Sequence, residues 1–402
     1  MYRRAIESRI KNISETFRVL VVTGPRQVGK TTLLESMMPK NMTKVSLDDE
    51  TLRSIAKEDP KRFIEMYKKP LFIDEVQYAP NLFSYIKMEV DKEKSRGQYW
   101  LSGSQAFELM KGVTETLAGR VGLAKMNSFT YSEIVKNKNI DIFDLDNLKQ
   151  KKYIDVNKVF ELIFNGGMPE LYDIEGMDRN EFYNSYINTY IERDIRTVKD
   201  IGNIDTFKKF MRAMAIRTGS TVNYTNIANE VGVTDKTIKL WISVLVNTGI
   251  VYLLEPYSSS EIKRLTKMPK IIFMDMGLAC SLANYENPRA LQLSQEAGRF
   301  FESYVVSEII KGYENKGKKL DITHLRNKET EEIDLIIRKN NTIYPIEIKV
   351  TSSPKKEMLK NFRFLEQTNE RVGTGGLICT YDKLMKIDEN NYIIPISSVI
   401  DL

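Results

Sequence analysis

At 402 residues and 42% hydrophobic content, the chain is long enough for two or three domains with their own cores, and wholesale disorder is excluded. Its 60 basic residues are interleaved with 54 acidic ones, and the net charge of +6 permits nucleic-acid binding without demanding it. Two distant cysteines, Cys280 and Cys379, and one histidine, His324, exclude a disulfide framework and a structural zinc site, so a reducing compartment is the expectation.

The N-terminal stretch "MYRRAIESRIKNISETF" lacks the apolar run of a signal peptide, and no segment approaches the roughly 20 apolar residues of a membrane span. A soluble cytoplasmic protein with no membrane partner is expected. Ile6, Ile10 and Ile13 fall near helical spacing and predict an amphipathic helix over residues 1–17. "RVLVVT" then reads as a strand buried on both faces, ending at a glycine loop. "TTLLESMM" predicts a helix stopped by Pro39, "KVSL" a strand, "RFIEMY" a helix, and "PLFI" and "YWLSG" two more buried strands. Strands alternating with helices predict a parallel α/β sheet, here over residues 1–135.

The glycine loop "GPRQVGKTT", residues 24–32, carries the first chemistry. Gly24, Gly29, Lys30 and Thr31 satisfy the spacing G-x-x-x-x-G-K-[ST], with Pro25, Arg26, Gln27, Val28 and Thr32 completing the loop. The glycines let backbone N–H groups close around the β- and γ-phosphates, and Lys30 adds positive charge there. Thr31 offers a hydroxyl to Mg²⁺, and the following helix N-terminus favours an anion. "LFIDE" supplies the carboxylates at a strand end, Asp74 to hold Mg²⁺ through its water shell and Glu75 to orient and polarise the attacking water. "LSGS" puts Ser102 or Ser104 at the same sheet edge. Arg120 in "LAGR" is a candidate for neutralising transition-state charge, in cis or in trans, with a structural ion pair as its other reading.

Residues 136–205 change character. "VKNKNIDIFDLDNLKQKKYIDVNK" reads as a charged connector, "FNGGMPELY" as turn-rich punctuation and "YNSYINTYIERDI" as a helix. Over residues 206–266, helix, short turn, helix and strand form a winged helix-turn-helix pattern. Thr225 and Thr234 are candidate caps, Gly232 makes the turn, and Ile238, Trp241, Ile242 and Leu245 share one face. Only Asp235, Lys236 and Lys239 are expected on the exposed face of the second helix, a thin basic supply for DNA. Residues 267–402 return to α/β, with helix "RFFESYVVSEII", two strands about the turn Lys339, Asn340 and Asn341, a helix near 355–368 and a strand "GGLICTY".

"GPRQVGKTTLL", "LFIDEVQYAP", "LSGSQAF" and "LAGR", in this order, resemble the prokaryotic AAA-type ATPases that carry a conserved C-terminal domain of unknown function. "GGMPE" and "YIERDI" resemble that family's middle segment. The resemblance implies ATP as the nucleotide, a P-loop ATPase core, a winged-helix segment, a C-terminal domain similar to restriction endonucleases, and ring-forming homo-oligomers in which a neighbour often lends an arginine. The expected fold class is α/β: a P-loop sheet, then a helical and winged-helix segment, then a PD-(D/E)xK-like α/β domain.

That last comparison is carried by "EIDLII" and "PIEIKV". Residues two apart on a strand share a face, so Glu347 and Lys349 point together, and Asp334 on the paired strand is expected beside Glu347. Such carboxylates suit Mg²⁺ or Mn²⁺, and Lys349 suits activation of a water that attacks a phosphodiester. Glu302, on the preceding helix, is where the resembled fold adds a further acid. The chain departs from the signature in having Ile333 where a proline precedes the aspartate. Two functions are expected in competition: an ATPase whose C-terminal module acts on DNA, and an ATP-dependent switch whose C-terminal domain recognises a partner without cutting.

Overall fold

A computed structural model describes residues 2–104, 116–137, 141–190, 204–257, 268–326 and 331–400 of the chain. The family-like stretches at 105–107 and 191–195 lie outside the described residues.

The first sheet has five parallel strands in the order β2-β3-β4-β1-β5: β1 (Val19–Thr23), β2 (Thr43–Ser46), β3 (Leu71–Asp74), β4 (Tyr99–Gly103) and β5 (Val121–Lys125). Alternation along β1 explains why it is apolar throughout. Leu20 and Val22 pack on one face with Ile6, Ile10 and Leu34, while Val19 and Val21 pack on the other with Phe63, Phe83 and Ile86. Helices α1 (Glu7–Thr16) and α2 (Lys30–Met37) border the first face; α3 (Glu50–Glu58), α4 (Pro60–Glu65) and α5 (Leu82–Lys92) border the second. The sequence reading did not name α3, α5 or β5. Asp49 and Asp59 cap α3 and α4 by accepting the N–H of Leu52 and Arg62. Because the strands are parallel, the ends of β1, β3 and β4 meet at one edge, where Ser102 sits beside Val22 in register.

Residues 141–155, within the stretch expected as a charged connector, dock on the fold: Phe143, Leu145 and Ile154 are buried, and Asp144 and Asp146 hold Lys339 at 3.0 and 3.1 Å. Ser398 Oγ and Tyr313 OH reach the carbonyls of Lys149 and Phe143 at 2.8 and 3.0 Å. Apolar residues spaced among the charges are what dock the segment.

In the next region, helices Tyr224–Val231 and Asp235–Asn247 meet at Gly232, whose φ of 82° is left-handed. Asn223 caps the first of them, not Thr225, whose hydroxyl instead donates to Asp235 at 2.7 Å. Thr234 caps the second, which buries Ile238, Trp241, Ile242 and Leu245. β6 (Val251–Leu254) pairs antiparallel with β7 (Lys270–Phe273), so this small sheet straddles residue 266.

The C-terminal sheet runs β13-β14-β12-β10-β9-β8, with β11 (Arg371–Val372) beside β10. Its centre is the hairpin β9 (Glu332–Lys339) and β10 (Thr342–Lys349), turned through Asn340 and Asn341 at φ 49° and 60°. β8 (Asp321–Arg326) flanks β9; β12 (Gly375–Cys379) and β14 (Asn391–Pro395) run parallel to β10, and β13 (Met385–Lys386) closes the edge. Residues 356–367 form a 3₁₀ helix within the helix expected near 355–368. The long helix Ala297–Lys316 is buried along most of its length, and its apolar residues join one continuous core reaching from β1 to β10. Truncating Phe300 or Phe301, both fully buried, to Ala should cost about 3–5 kcal/mol.

Candidate functional site

The loop after β1 is shaped by positions few residues tolerate. Gly24 has φ 147°, and a Cβ there would lie 2.0 Å from the carbonyl oxygen of Met126. Gln27 and Gly29 are left-handed at φ 58° and 86°, and Gly29 starts α2 with no side-chain cap on its first N–H groups. Lys30 is buried, and its ammonium donates to the carbonyls of Gly24 and Pro25 at 3.0 and 2.7 Å. The Thr31 hydroxyl donates to Asp74 Oδ2 at 2.9 Å, and Ser102, on the strand between β1 and β3, donates to the other oxygen. Asp74 is thus fixed by hydroxyls from α2 and β4. Glu75 follows in a left-handed turn, φ 54°, which lifts it off the strand, and Gln77 donates to its carboxylate. Ser104 Oγ, buried at the same edge, has no hydrogen-bond partner among the described residues.

Arg120 keeps two readings in the sequence, a transition-state arginine in cis or in trans and a structural ion pair. It precedes β5, at the edge of the parallel sheet opposite the loop, because Val121 pairs in register with Val19. Five residues of strand, about 16 Å, separate the two edges. There its guanidinium forms a two-point ion pair with Asp91 at 2.6 and 2.8 Å, the structural reading of this residue.

The sequence reading missed Arg4. Only 5% exposed, it braces the loop from behind, donating to Glu133 at 2.9 Å and to the carbonyls of Val28 and Asn127 at 2.7 Å. A cavity of about 320 Å³ opens beside the loop, lined by Tyr2, Arg4, Gln27, Thr32, Phe129 and Ile174. A groove of about 920 Å³ at the opposite sheet edge, around Lys69, Glu93 and Tyr99, is roomier but holds none of these loop residues.

A second polar cluster lies in the C-terminal sheet. Lys349 Nζ reaches Asp334 at 3.0 Å and Glu347 at 2.7 Å, and Asp334 also accepts the Ile348 N–H at 2.9 Å. Glu302 joins through a residue the sequence reading did not single out, Lys270, whose ammonium lies 2.6 Å from Glu302 and 3.8 Å from Asp334 and also pairs with Glu332. Glu332 had a legible signal, since it stands two residues before Asp334 on one strand face. Lys270, preceded by "MP" and beginning a strand far upstream, had none. Burial alone would pull the Lys270 ammonium down, but Glu302, Asp334 and Glu332 together raise it above its ordinary value. Burial, with neighbouring carboxylates, pushes Glu302 and Glu347 up.

The two clusters share a helix. Near the end of Ala297–Lys316, Glu314 accepts Lys125 at 3.1 Å and Asn127 at 2.6 Å, just behind the loop. Glu302 lies twelve positions earlier on the same helix, roughly 18 Å along its axis. Gly249, ending helix Asp235–Asn247, packs against the ring of Pro25 in the loop.

Residues 16–135 match the model of an AAA domain, residues 156–289 a domain of unknown function (DUF8612) and residues 297–399 a domain of unknown function (DUF4143). Uncharacterized proteins of Mycobacterium tuberculosis and Mycobacterium bovis are 24% identical over 354 residues, 88% of this chain and 75% of theirs. Among solved structures, the RuvB Holliday junction branch migration motor of Thermotoga maritima is similar over 65% of this chain and 94% of its own, at 15% identity and a TM-score of 0.30. So low a score carries no weight beside the family match and the sheet itself. Among the described residues, no helix is long and apolar enough to cross a membrane.

Proposed function

With residues 16–135 identified as an AAA-type P-loop ATPase domain, we propose that ATP hydrolysis there drives a C-terminal module that acts on DNA. The observation that carries the catalytic assignment is the Thr31–Asp74–Ser102 constellation at the mouth of the loop. Loop N–H groups and Lys30 take the phosphates, with Lys30 leaving its loop carbonyls for phosphate oxygens. The cavity beside the loop suits the nucleobase, between Tyr2, Phe129 and Ile174. Thr31 and Asp74 form an all-oxygen donor set that fits Mg²⁺, which when bound with ATP neutralises charge on the phosphates. Glu75, off the strand and oriented by Gln77, is the group that holds and polarises the attacking water.

Two contacts suit transmission of nucleotide state: Pro25 against Gly249, and Val28 through Arg4 and Asn127 to Glu314. The helix pair with its β6–β7 strand pair is read as a winged helix presenting Lys236 and Lys239, and the C-terminal sheet as a PD-(D/E)xK-like fold. A second reading, a switch that recognises without cutting, is favoured by Lys270, which neutralises the carboxylates a nuclease needs for its ion. Phosphate release should collapse in Lys30→Ala and Glu75→Gln; turnover unchanged in both sinks the catalytic assignment. Nicking of plasmid DNA in Mn²⁺ and ATP, lost in Asp334→Ala, supports cleavage. DNA-stimulated hydrolysis without nicking supports the switch.

A further inference from the structure

The carboxylate cluster has the donors of a divalent-ion site and a resident cation in its centre. Glu302, Glu332 and Asp334 each bring an oxygen within 4.8 Å of the others. Lys270, 1% exposed, sets its ammonium among these three carboxylates. An ion bound about 2.0–2.6 Å from the same oxygens would overlap that nitrogen. Beside it, Glu347 is 5% exposed and shares Lys349 with Asp334, yet its Oε2 is buried with no hydrogen-bond partner among the described residues. A buried carboxylate oxygen without a donor is an acceptor suited to a cation. Lys270 belongs to a different part of the chain from the acids. It starts β7, opposite Leu254 of β6, within the 156–289 match, whereas Glu302, Glu332, Asp334, Glu347 and Lys349 all lie within the 297–399 match.

We infer that Lys270 is a tethered cation filling the metal position of the C-terminal cluster, and that a divalent ion enters only when the Lys270 side chain is displaced or removed. The inference rests on the nuclease-like reading of that sheet. It makes Lys270 a plug, so that whatever displaces its side chain would set the metal occupancy of the cluster.

The test is Mn²⁺ binding by calorimetry to the nucleotide-free full chain, in an Asp74→Asn background so that the nucleotide loop contributes no ion. Lys270→Met should bind one Mn²⁺ at least tenfold more tightly than the chain retaining Lys270. Lys270→Arg, which keeps a cation, should stay weak, and adding Asp334→Asn to Lys270→Met should erase the gain. Equal, Asp334-dependent affinity with and without Lys270 overturns the plug and leaves the metal-site reading standing. No Mn²⁺ bound in any arm overturns both. Should Lys270→Met fail to fold, amine labelling of Lys270 in the unaltered chain replaces it. Labelling, read by mass spectrometry, should rise several-fold in millimolar Mn²⁺, and unchanged labelling overturns the inference.

Discussion

Two buried lysines sit in two polar sites of one chain, and their surroundings differ. Lys30 hydrogen-bonds to the neutral carbonyls of Gly24 and Pro25, in a loop whose backbone geometry suits an arriving anion. Lys270 is paired with Glu302, Glu332 and Asp334. A carbonyl gives up an ammonium to a phosphate readily, because charge–charge attraction replaces a charge–dipole contact. Three carboxylates do not, because withdrawing the cation leaves buried like charges facing one another. The first site is poised for a ligand; the second is satisfied from within.

The largest effect should come from breaking the poised site. Lys30→Ala and Glu75→Gln are each expected to lower kcat for ATP by about 100-fold or more, read as phosphate release. The self-satisfied site should respond in stability instead. Lys270→Met is expected to cost about 3–5 kcal/mol at neutral pH, since uncompensated carboxylates remain buried, whereas Lys30→Met should move the thermal midpoint little. Equal losses in the two variants would erase the contrast.

His324 sharpens it through pH. Burial first, then the nearby Lys270 charge, pushes the imidazole down to about 3. The folded state therefore keeps His324 neutral while the unfolded chain takes a proton below its ordinary value near 6.5. Stability from this group is full above that value and falls as pH drops toward 3, by up to about 1.4 kcal/mol per pH unit. Denaturant unfolding at pH 6.5 and 5 should show this loss in the unaltered chain and a smaller one in His324→Asn. The smallest effect is expected at Arg120. Because Asp91 holds it at the far sheet edge, Arg120→Ala should keep ATP turnover within about twofold, and a large drop would restore a role in trans.

Much of the nucleotide site was legible because its chemistry is local. Residues 24–32 fix the loop by spacing, and "LFIDE" announces a carboxylate at a strand end. Asp334, Glu347 and Lys349 were legible for a similar reason: two strands joined by a tight turn carry their side-chain alternation in the sequence. Arg4 was not, because it reaches the loop from before β1 and its partners lie at residues 28, 127 and 133. Arg120 keeps two readings in the sequence because a short motif does not say which edge of a sheet it occupies. The docking of residues 141–155 was not legible because charge density hides the few apolar residues that anchor them.

The sequence by itself determined the phosphate-loop spacing, the acidic end of β3, the parallel alternation of the first domain and the acidic hairpin of the last. Each depends on neighbours within a strand, a turn or a helix, where chain geometry is nearly fixed. Only the tertiary structure decided that Lys270 lies among Glu302, Glu332 and Asp334, that Arg120 faces away from the loop, and that one buried helix joins the two sites. Those relations follow from how separate elements pack, and long-range packing leaves no periodic trace in the sequence.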